Sequence, residues 1–498
     1  MSDRQVARRQ TPDARSMRGA RGLLPPSAFR LSPSAAAALL AVALAGCSLG
    51  PAYQRPPAAQ GVPIKAERWW SLYSDPVLDR LIDEALAHNQ DLALAAARVD
   101  EARAFARIAD AEMIPSIDAT AQRDRSRASA RGGVPMPPGV PLERNNYRAQ
   151  VNISYELDLW GRLRSASKAA QSDLLATQAA QETVRLTLAT EVARAYYTLI
   201  ALDSQVEATR RSLALRSDGL ELQRVRHKAG LTNDFNLRQL EAEVAAARAQ
   251  LPALEGNRTA QELGLAVLLG RSPRAIMEGS VARNPDSGQP ALAVVPEGLP
   301  SDLLLRRPDV VVAEQQLIAA NARIASARAL LFPRIALSGF YGSESASLAD
   351  LFTGPARIWA LGFGLAQPIF QGGRLFGEIE AVEAREKQAV AQYQKTLQEA
   401  FREVRQALTI QVRARESFEA ETERVAALSD ALALARIRYQ NGLLSLLEVI
   451  DQERNLLQAQ LNRADALRVQ RAAVADLVKA LGGGWEGFEP APVADAKP

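Results

Sequence analysis

Histidine and cysteine are nearly missing from this chain of 498 residues, which has two of the first and one of the second. A lone cysteine cannot close an internal disulfide. His88 and His227 fall in different helical stretches and lack metal-ligand spacing. No glycine-rich loop stands between a strand and a helix to cradle a phosphate. Acids and bases are plentiful, but they recur along helix faces, where solvated pairs are the ordinary outcome. The chain is therefore expected not to be an enzyme and to need no metal or soluble cofactor. Also missing is any apolar run of the roughly 20 residues that a transmembrane helix requires. A membrane crossing is thereby left to a closed β-barrel.

The N-terminus accounts for the basic charge. Residues 1–46 carry seven Arg, no Lys and two Asp. Removing them turns 60 basic and 56 acidic residues into 53 and 54, a net charge of −1 in place of +4. A polyanion such as nucleic acid is not an expected partner. Basic residues from Arg4 to Arg30, the short apolar run Ala35 to Leu44 and small residues before Cys47 form a signal peptide over 1–46. The long basic region makes Met17 a candidate start. Leu44-Ala-Gly-Cys47 resembles the bacterial lipobox, which implies a covalent lipid on Cys47; a free or buried thiol is the alternative. Ser48 after it implies sorting to the outer membrane. Stable anchoring takes more than one acyl chain.

The second half of the chain repeats the first. Asp91 and Pro115 match Asp309 and Pro333 at an offset of 218. Gly161-Arg-Leu163, Gly230-Leu231 and Leu269-Gly270 match Gly373-Arg-Leu375, Gly442-Leu443 and Leu481-Gly482 at 212. A unit this long is a duplicated domain and not a solenoid repeat. The change of six falls between Pro115 and Gly161. The organisation expected is a lipidated linker over 47–74, a first repeat over 75–270, a link over 271–299 with four prolines, a second repeat over 300–482 and a tail over 483–498.

Within each repeat the hydrophobic period changes. Asp75 to about Glu112 reads as helical, opened by an Asp cap and Pro76. Tyr147, Ala149, Val151, Ile153, Tyr155 and Leu157 then alternate with polar residues, the pattern of a strand with one apolar face. Strands are expected near 116–125, 146–158, 334–342 and 357–369. Four strands are too few to close a membrane barrel, so several chains must share one. Aromatic residues in or near the strands (Tyr147, Tyr155, Trp160, Tyr341, Trp359, Phe363) suit interface girdles, or else an ordinary soluble β-element. Arg164 to Lys228 and Leu375 to Gln440 lack proline and nearly lack glycine. At a rise of about 1.5 Å per residue each would span roughly 100 Å. Returning helices follow at about 232–269 and 443–481, with a kink expected at Pro252. Helices this long expose apolar surface unless they assemble laterally.

Several stretches resemble the TolC-type outer-membrane efflux factors, in particular the lipoprotein branch related to NodT and OprM. They are Cys47-Ser-Leu-Gly-Pro-Ala-Tyr-Gln-Arg-Pro56, Trp69-Trp-Ser-Leu-Tyr-Ser-Asp-Pro-Val-Leu78 and Gly298-Leu-Pro-Ser-Asp-Leu-Leu-Leu-Arg-Arg-Pro-Asp309, with Leu305 where an acidic residue is usual. The resemblance covers essentially the whole mature chain. It implies a mainly α fold with a small β part: duplicated long helical hairpins forming a trimeric α-barrel, and four strands per chain in a shared twelve-stranded outer-membrane β-barrel. The link at 271–299 would belong to an equatorial belt. The implied function is the passive exit duct of a tripartite efflux system for drugs or other small amphipathic compounds. Its implied partners are two further copies, a periplasmic adaptor, an inner-membrane pump of the resistance-nodulation-division type and outer-membrane lipid. The alternatives are the exit duct of a type I secretion system and a periplasmic coiled-coil lipoprotein without a pore.

Two regions are the candidate sites. Gly230-Leu231 and Gly442-Leu443 occupy matching helical turns, where glycine supplies the left-handed conformation that ends a helix. The resemblance makes the leucines adaptor-docking residues; a plain helix cap is the other reading. Tyr439, Asp451 and Arg454 match family positions that close the periplasmic mouth, with Asp234 a weaker candidate. Asp451 and Arg454 are three apart and share a helix face, so a solvated pair is the alternative. Their counterparts at minus 212 are Gln239 and Ala242, which places the charge pair in the second repeat alone.

Overall fold

The computed structural model describes residues 68–131, 137, 139–284 and 307–483. The signal peptide, Cys47 and most of its linker, the greater part of the link at 271–299 with the motif that follows it, and the tail lie outside the described residues.

The chain runs α1 (Pro76–His88), α2 (Gln90–Ala111), β1 (Ser116–Arg127), β2 (Glu143–Leu157), α3 (Arg162–Lys228), α4 (Asp234–Leu268), α5 (Pro273–Glu278), α6 (Pro308–Ala329), β3 (Arg334–Ser345), β4 (Arg357–Ala366), α7 (Arg374–Gln440) and α8 (Leu446–Ala480). The duplication recurs at the level of element ends. Adding 218 to the bounds of α2 and β1 gives those of α6 and β3, and adding 212 to those of α3 and α4 gives those of α7 and α8. The four strands form one antiparallel sheet in the order β1-β2-β3-β4. The register locates the missing six residues. Pairing of Arg127 with Glu143 leaves a hairpin loop of 15 residues, 128–142. The corresponding residues are Ser345 and Pro355, which leave nine, 346–354; 15 − 9 is six. The change is confined to the strand tips.

Each long helix of 67 residues extends for about 100 Å. The first packs against α2, α6, α4 and α8, the second against α6 and α8. Alanine lines many of these seams (Ala169, Ala176, Ala179, Ala400, Ala407), where a small side chain lets helix backbones approach. The helix α4 passes through Pro252 as a single element.

Three local expectations are corrected. The helix from Asp75 is two helices, because the Asn89 side chain accepts from the N–H groups of Asp91 (2.8 Å) and Leu92 (3.1 Å) and restarts it. The linker ends early: Trp69–Tyr73 is a turn of 3₁₀ helix with Trp69, Trp70 and Tyr73 buried. β4 stops at Ala366, short of 369, since Pro368 has no N–H to continue a ladder.

The main core joins that turn to α1, α3, α4 and α8. Tyr73 Oη donates to the Arg471 carbonyl (2.6 Å), and Tyr196 Oη to Asp75 Oδ2 (2.8 Å). The Arg471 guanidinium lies 4.9 Å from the Tyr197 ring centre. Burial pushes the Tyr73, Tyr196 and Tyr197 phenols upward, so all three stay neutral. The second repeat's core is thinner, built on Val310, Tyr393, Ala400, Val404 and Leu477.

Candidate functional site

The sheet has two unlike faces. Because successive side chains alternate, the register collects Ile117 and Ala119, Val151, Ile153, Tyr155 and Leu157, Ile335, Leu337 and Tyr341, and Trp359, Leu361, Phe363 and Leu365 on one face. Most of this face is exposed, Leu361 to 82%. The opposite face carries Asp118, Thr120, Arg148, Gln150, Asn152, Ser338 and Glu344 beside Gly362 and Gly364. There Asn152 Nδ2 donates to Thr120 Oγ1 (3.2 Å) and Asn146 Nδ2 to Glu344 Oε1 (3.0 Å). An exposed apolar face opposite a hydrogen-bonded polar one suits lipid on one side and water on the other. Among the described residues no helix is long and apolar enough to cross a membrane. At the helical end of the strands, Trp160 Nε1 donates to the Pro333 carbonyl (2.8 Å) and its ring stacks on Phe332.

The far ends of the long helices hold the predicted tips. Gly230 has φ +71° and Gly442 φ +74°. Each ends its helix with the same two bonds: Gly230 N–H to His227 and Leu231 N–H to Arg226, Gly442 N–H to Tyr439 and Leu443 N–H to Arg438, all 2.9–3.0 Å. Leu231 and Leu443 are 77% and 76% exposed, so neither leucine is covered within the chain.

Tyr439, Asp451 and Arg454 gather near these tips, but not as a second-repeat group. Tyr439 Oη accepts from Gln223 Nε2 (2.6 Å) and Arg226 Nη1 (3.2 Å), both on α3. Arg454 stands 3.6 Å from Asp451 and 2.6 Å from Glu243 on α4. Glu243 is buried and pairs at 3.1 Å with Arg216, also buried. The expected Asp451–Arg454 pair forms, and Arg454 also ends a chain of charge that begins inside the first hairpin. Asp234 belongs to another contact, with its carboxylate 3.0 Å from His227 Nε2. Sequence reasoning missed Arg216, Gln223, Arg226 and Glu243. The 212 offset also sets Tyr439 opposite His227, a further difference between the tips beside Asp451 and Arg454 against Gln239 and Ala242. Higher up, a groove of about 720 Å³ between α3, α7 and α8 is lined by arginines held by acids, Arg283 by Asp203 and Arg436 by Glu453. No group of acidic, histidine or cysteine side chains among the described residues could hold a metal ion.

A family model described as outer membrane efflux protein matches residues 81–271 and 299–483, one match for each repeat. This chain belongs to the outer membrane efflux protein family. The solvent efflux pump outer membrane protein SrpC of Pseudomonas putida is 35% identical over 460 residues, covering 89% of this chain and 96% of SrpC. The CmeC outer membrane channel of Campylobacter jejuni superposes with a TM-score of 0.85 over 89% of this chain and 96% of its own, at 24% identity, a likeness of fold. The open state of the MtrE outer membrane channel of Neisseria gonorrhoeae gives 0.77 over 88% and 98%, at 29% identity. Family members are channels, and this one is an outer-membrane efflux channel whose helices extend into the periplasm. Its four strands cannot close a barrel alone, so copies share the barrel. The apolar sheet face is then the lipid face, the polar face lines the lumen and the Gly-Leu tips form the periplasmic end.

Proposed function

We propose that the chain is the homotrimeric exit duct of a tripartite system, loaded by a periplasmic adaptor and driven by an inner-membrane pump of the resistance-nodulation-division type. Three copies supply twelve strands, within the range of closed outer-membrane barrels. Small amphipathic compounds, solvents and drugs among them, are the cargo; the relative named for a solvent efflux pump supports this class. A lipid on Cys47 anchors the N-terminus in the outer membrane, and the duct needs no cofactor.

One observation carries the reading. The chain leaves apolar surface uncovered at both extremes, the sheet at one end and Leu231 with Leu443 at the other, some 100 Å of helix apart. Lipid covers the first. The adaptor covers the second, through hairpin ends that receive the two leucines. Between them Tyr439, Asp451 and Arg454 form the gate. Repeated in three copies, they place rings of charge at the mouth. The test is a Leu231→Asp, Leu443→Asp double variant in a strain lacking its own channel. Efflux is lost while heat-resistant trimers and membrane level stay normal. Full drug resistance in that variant would remove the tips from the docking surface.

A further inference from the structure

On the lipid face, the apolar rows give way to arginine toward the strand tips. The register sets Leu157, Ile335 and Leu365 in the row nearest the helices, and Ala119, Val151, Tyr341 and Trp359 three rows further out. From Ile335 to Tyr341 the rise is about 20 Å at roughly 3.3 Å per residue, close to the height of an outer-membrane barrel's apolar band. Continuing outward, the same face of β1 reads Arg123, Arg125, Arg127, and β4 begins with Arg357. All four are exposed. The Arg123 guanidinium lies 5.4 Å from the centre of the Tyr147 ring. Among the described residues of this face one acid meets them, Glu143, 2.9 Å from Arg125 and 3.7 Å from Arg127. Four positive charges against one negative leave this patch at +3 per chain.

Its position fixes what it meets. The tips lie at the end of the strands opposite the periplasmic helices, so the patch stands at the outer leaflet. There it is continuous with the lipid-facing band and just beyond the Tyr341 and Trp359 pair. Side chains on this face stay outside the barrel when β1 meets β4 of the next copy, and that contact brings another Arg357 to the same rim. Three guanidiniums at alternate strand positions are spaced by about 7 Å, each able to take two phosphate oxygens in its fork. An aromatic ring at headgroup level with a cation against it is the arrangement an interfacial anchor needs.

We propose that Arg123, Arg125 and Arg127, joined by Arg357, bind phosphate groups on the headgroups of outer-leaflet lipid, and so fix a ring of anionic lipid around the channel. Glu143 limits the affinity.

The test uses the whole trimer in phosphatidylcholine nanodiscs containing either bisphosphorylated lipid A or its dephosphorylated form, with bound lipid counted by native mass spectrometry. The wild type retains the bisphosphorylated form at least tenfold better. The Arg123→Gln, Arg125→Gln, Arg127→Gln variant loses that preference, the Arg→Lys triple keeps most of it, and Glu143→Gln raises retention. Equal retention of the two lipids by the wild type overturns the proposal, as does an unchanged preference in a correctly trimeric glutamine variant. Inorganic phosphate added at the same phosphorus concentration leaves lipid retention unchanged; displacement by it would make this a free-phosphate site and contradict the proposal.

Discussion

The two hairpin tips share a backbone and differ in what their side chains hold. Both end in a left-handed glycine, an exposed leucine and a capped return helix, by Asn233 in the first and by a Ser445–Glu448 capping box in the second. In the first hairpin, His227 meets Asp234 within its own turn, and Arg216 with Glu243 forms a buried pair. At the matching places the second hairpin has Tyr439, Leu446, Leu428 and Asn455. Its polar groups reach outward instead, Tyr439 to Gln223 and Arg226, Arg454 to Glu243. Duplication supplied two equal arms. Divergence made the first a charged socket and the second the arm that rests in it.

The largest expected effect comes from emptying the socket. Glu243→Ala leaves Arg216 buried without its carboxylate and frees Arg454, at a cost of about 3–5 kcal/mol. A cut at an ion pair inside the second hairpin, Glu453→Ala, frees the more exposed Arg436 and costs less than about 1 kcal/mol. Thermal midpoints of the helical signal check both; equal losses would deny the asymmetry.

A second contrast sets the tip glycine against the glycine that ends the return helix α4. Gly270 has φ +71°, and a Cβ there would stand 2.2 Å from the His88 carbonyl oxygen. Gly270→Ala therefore combines strain with a backbone clash and costs about 3 kcal/mol. Gly230→Ala meets open space and costs only the strain, about 1–2 kcal/mol. Comparable midpoints for the two variants would sink this ordering.

The smallest effect sets two single carboxyls, Glu262 and Asp476, against each other by pH. Burial raises the Glu262 carboxyl, but hydrogen bonds from Arg283 and the Val281 N–H outweigh it and hold the group below its ordinary value of 4.5. A depressed folded value contributes stability above the ordinary carboxylate range that is lost as pH falls through the lower folded value. Asp476 in the second repeat runs the other way. Burial raises it despite Arg194 and Lys479, so its ionisation weakens the fold as pH rises. Glu262→Gln should flatten the acid side of the stability profile, while Asp476→Asn should raise stability at neutral pH. Midpoints measured from pH 3 to 8 read both signs.

Much of this was legible in order along the chain. Period-two alternation marked the lipid face, and the two offsets marked every long element, because both patterns are local. The break at Asn89 is hard to read because Ala and Leu on either side share one helical pattern; the Asn-Gln-Asp cap is what signals it. Trp69, Trp70 and Tyr73 read as a linker's end because the core they join lies on distant helices, where Tyr73 meets Tyr197 and Arg471. For the same reason the sequence shows the pairing of Arg454 with its neighbour Asp451 but not with Glu243, which is 211 residues earlier (454 − 243). A helix period shows which face a residue occupies, and the fold decides which helix meets that face.

The central claim is that the second tip closes the mouth by resting in the first. Single-channel conductance in planar bilayers tests it directly, with Tyr439→Phe and Arg454→Gln combined and compared with the first-tip pair His227→Gln, at the match of Tyr439, and Gln239→Ala, at the match of Asp451. The account predicts that conductance rises about twofold or more in the first pair and stays at the wild-type level in the second. Unchanged conductance in the Tyr439, Arg454 variant, or an equal rise in both, would contradict it.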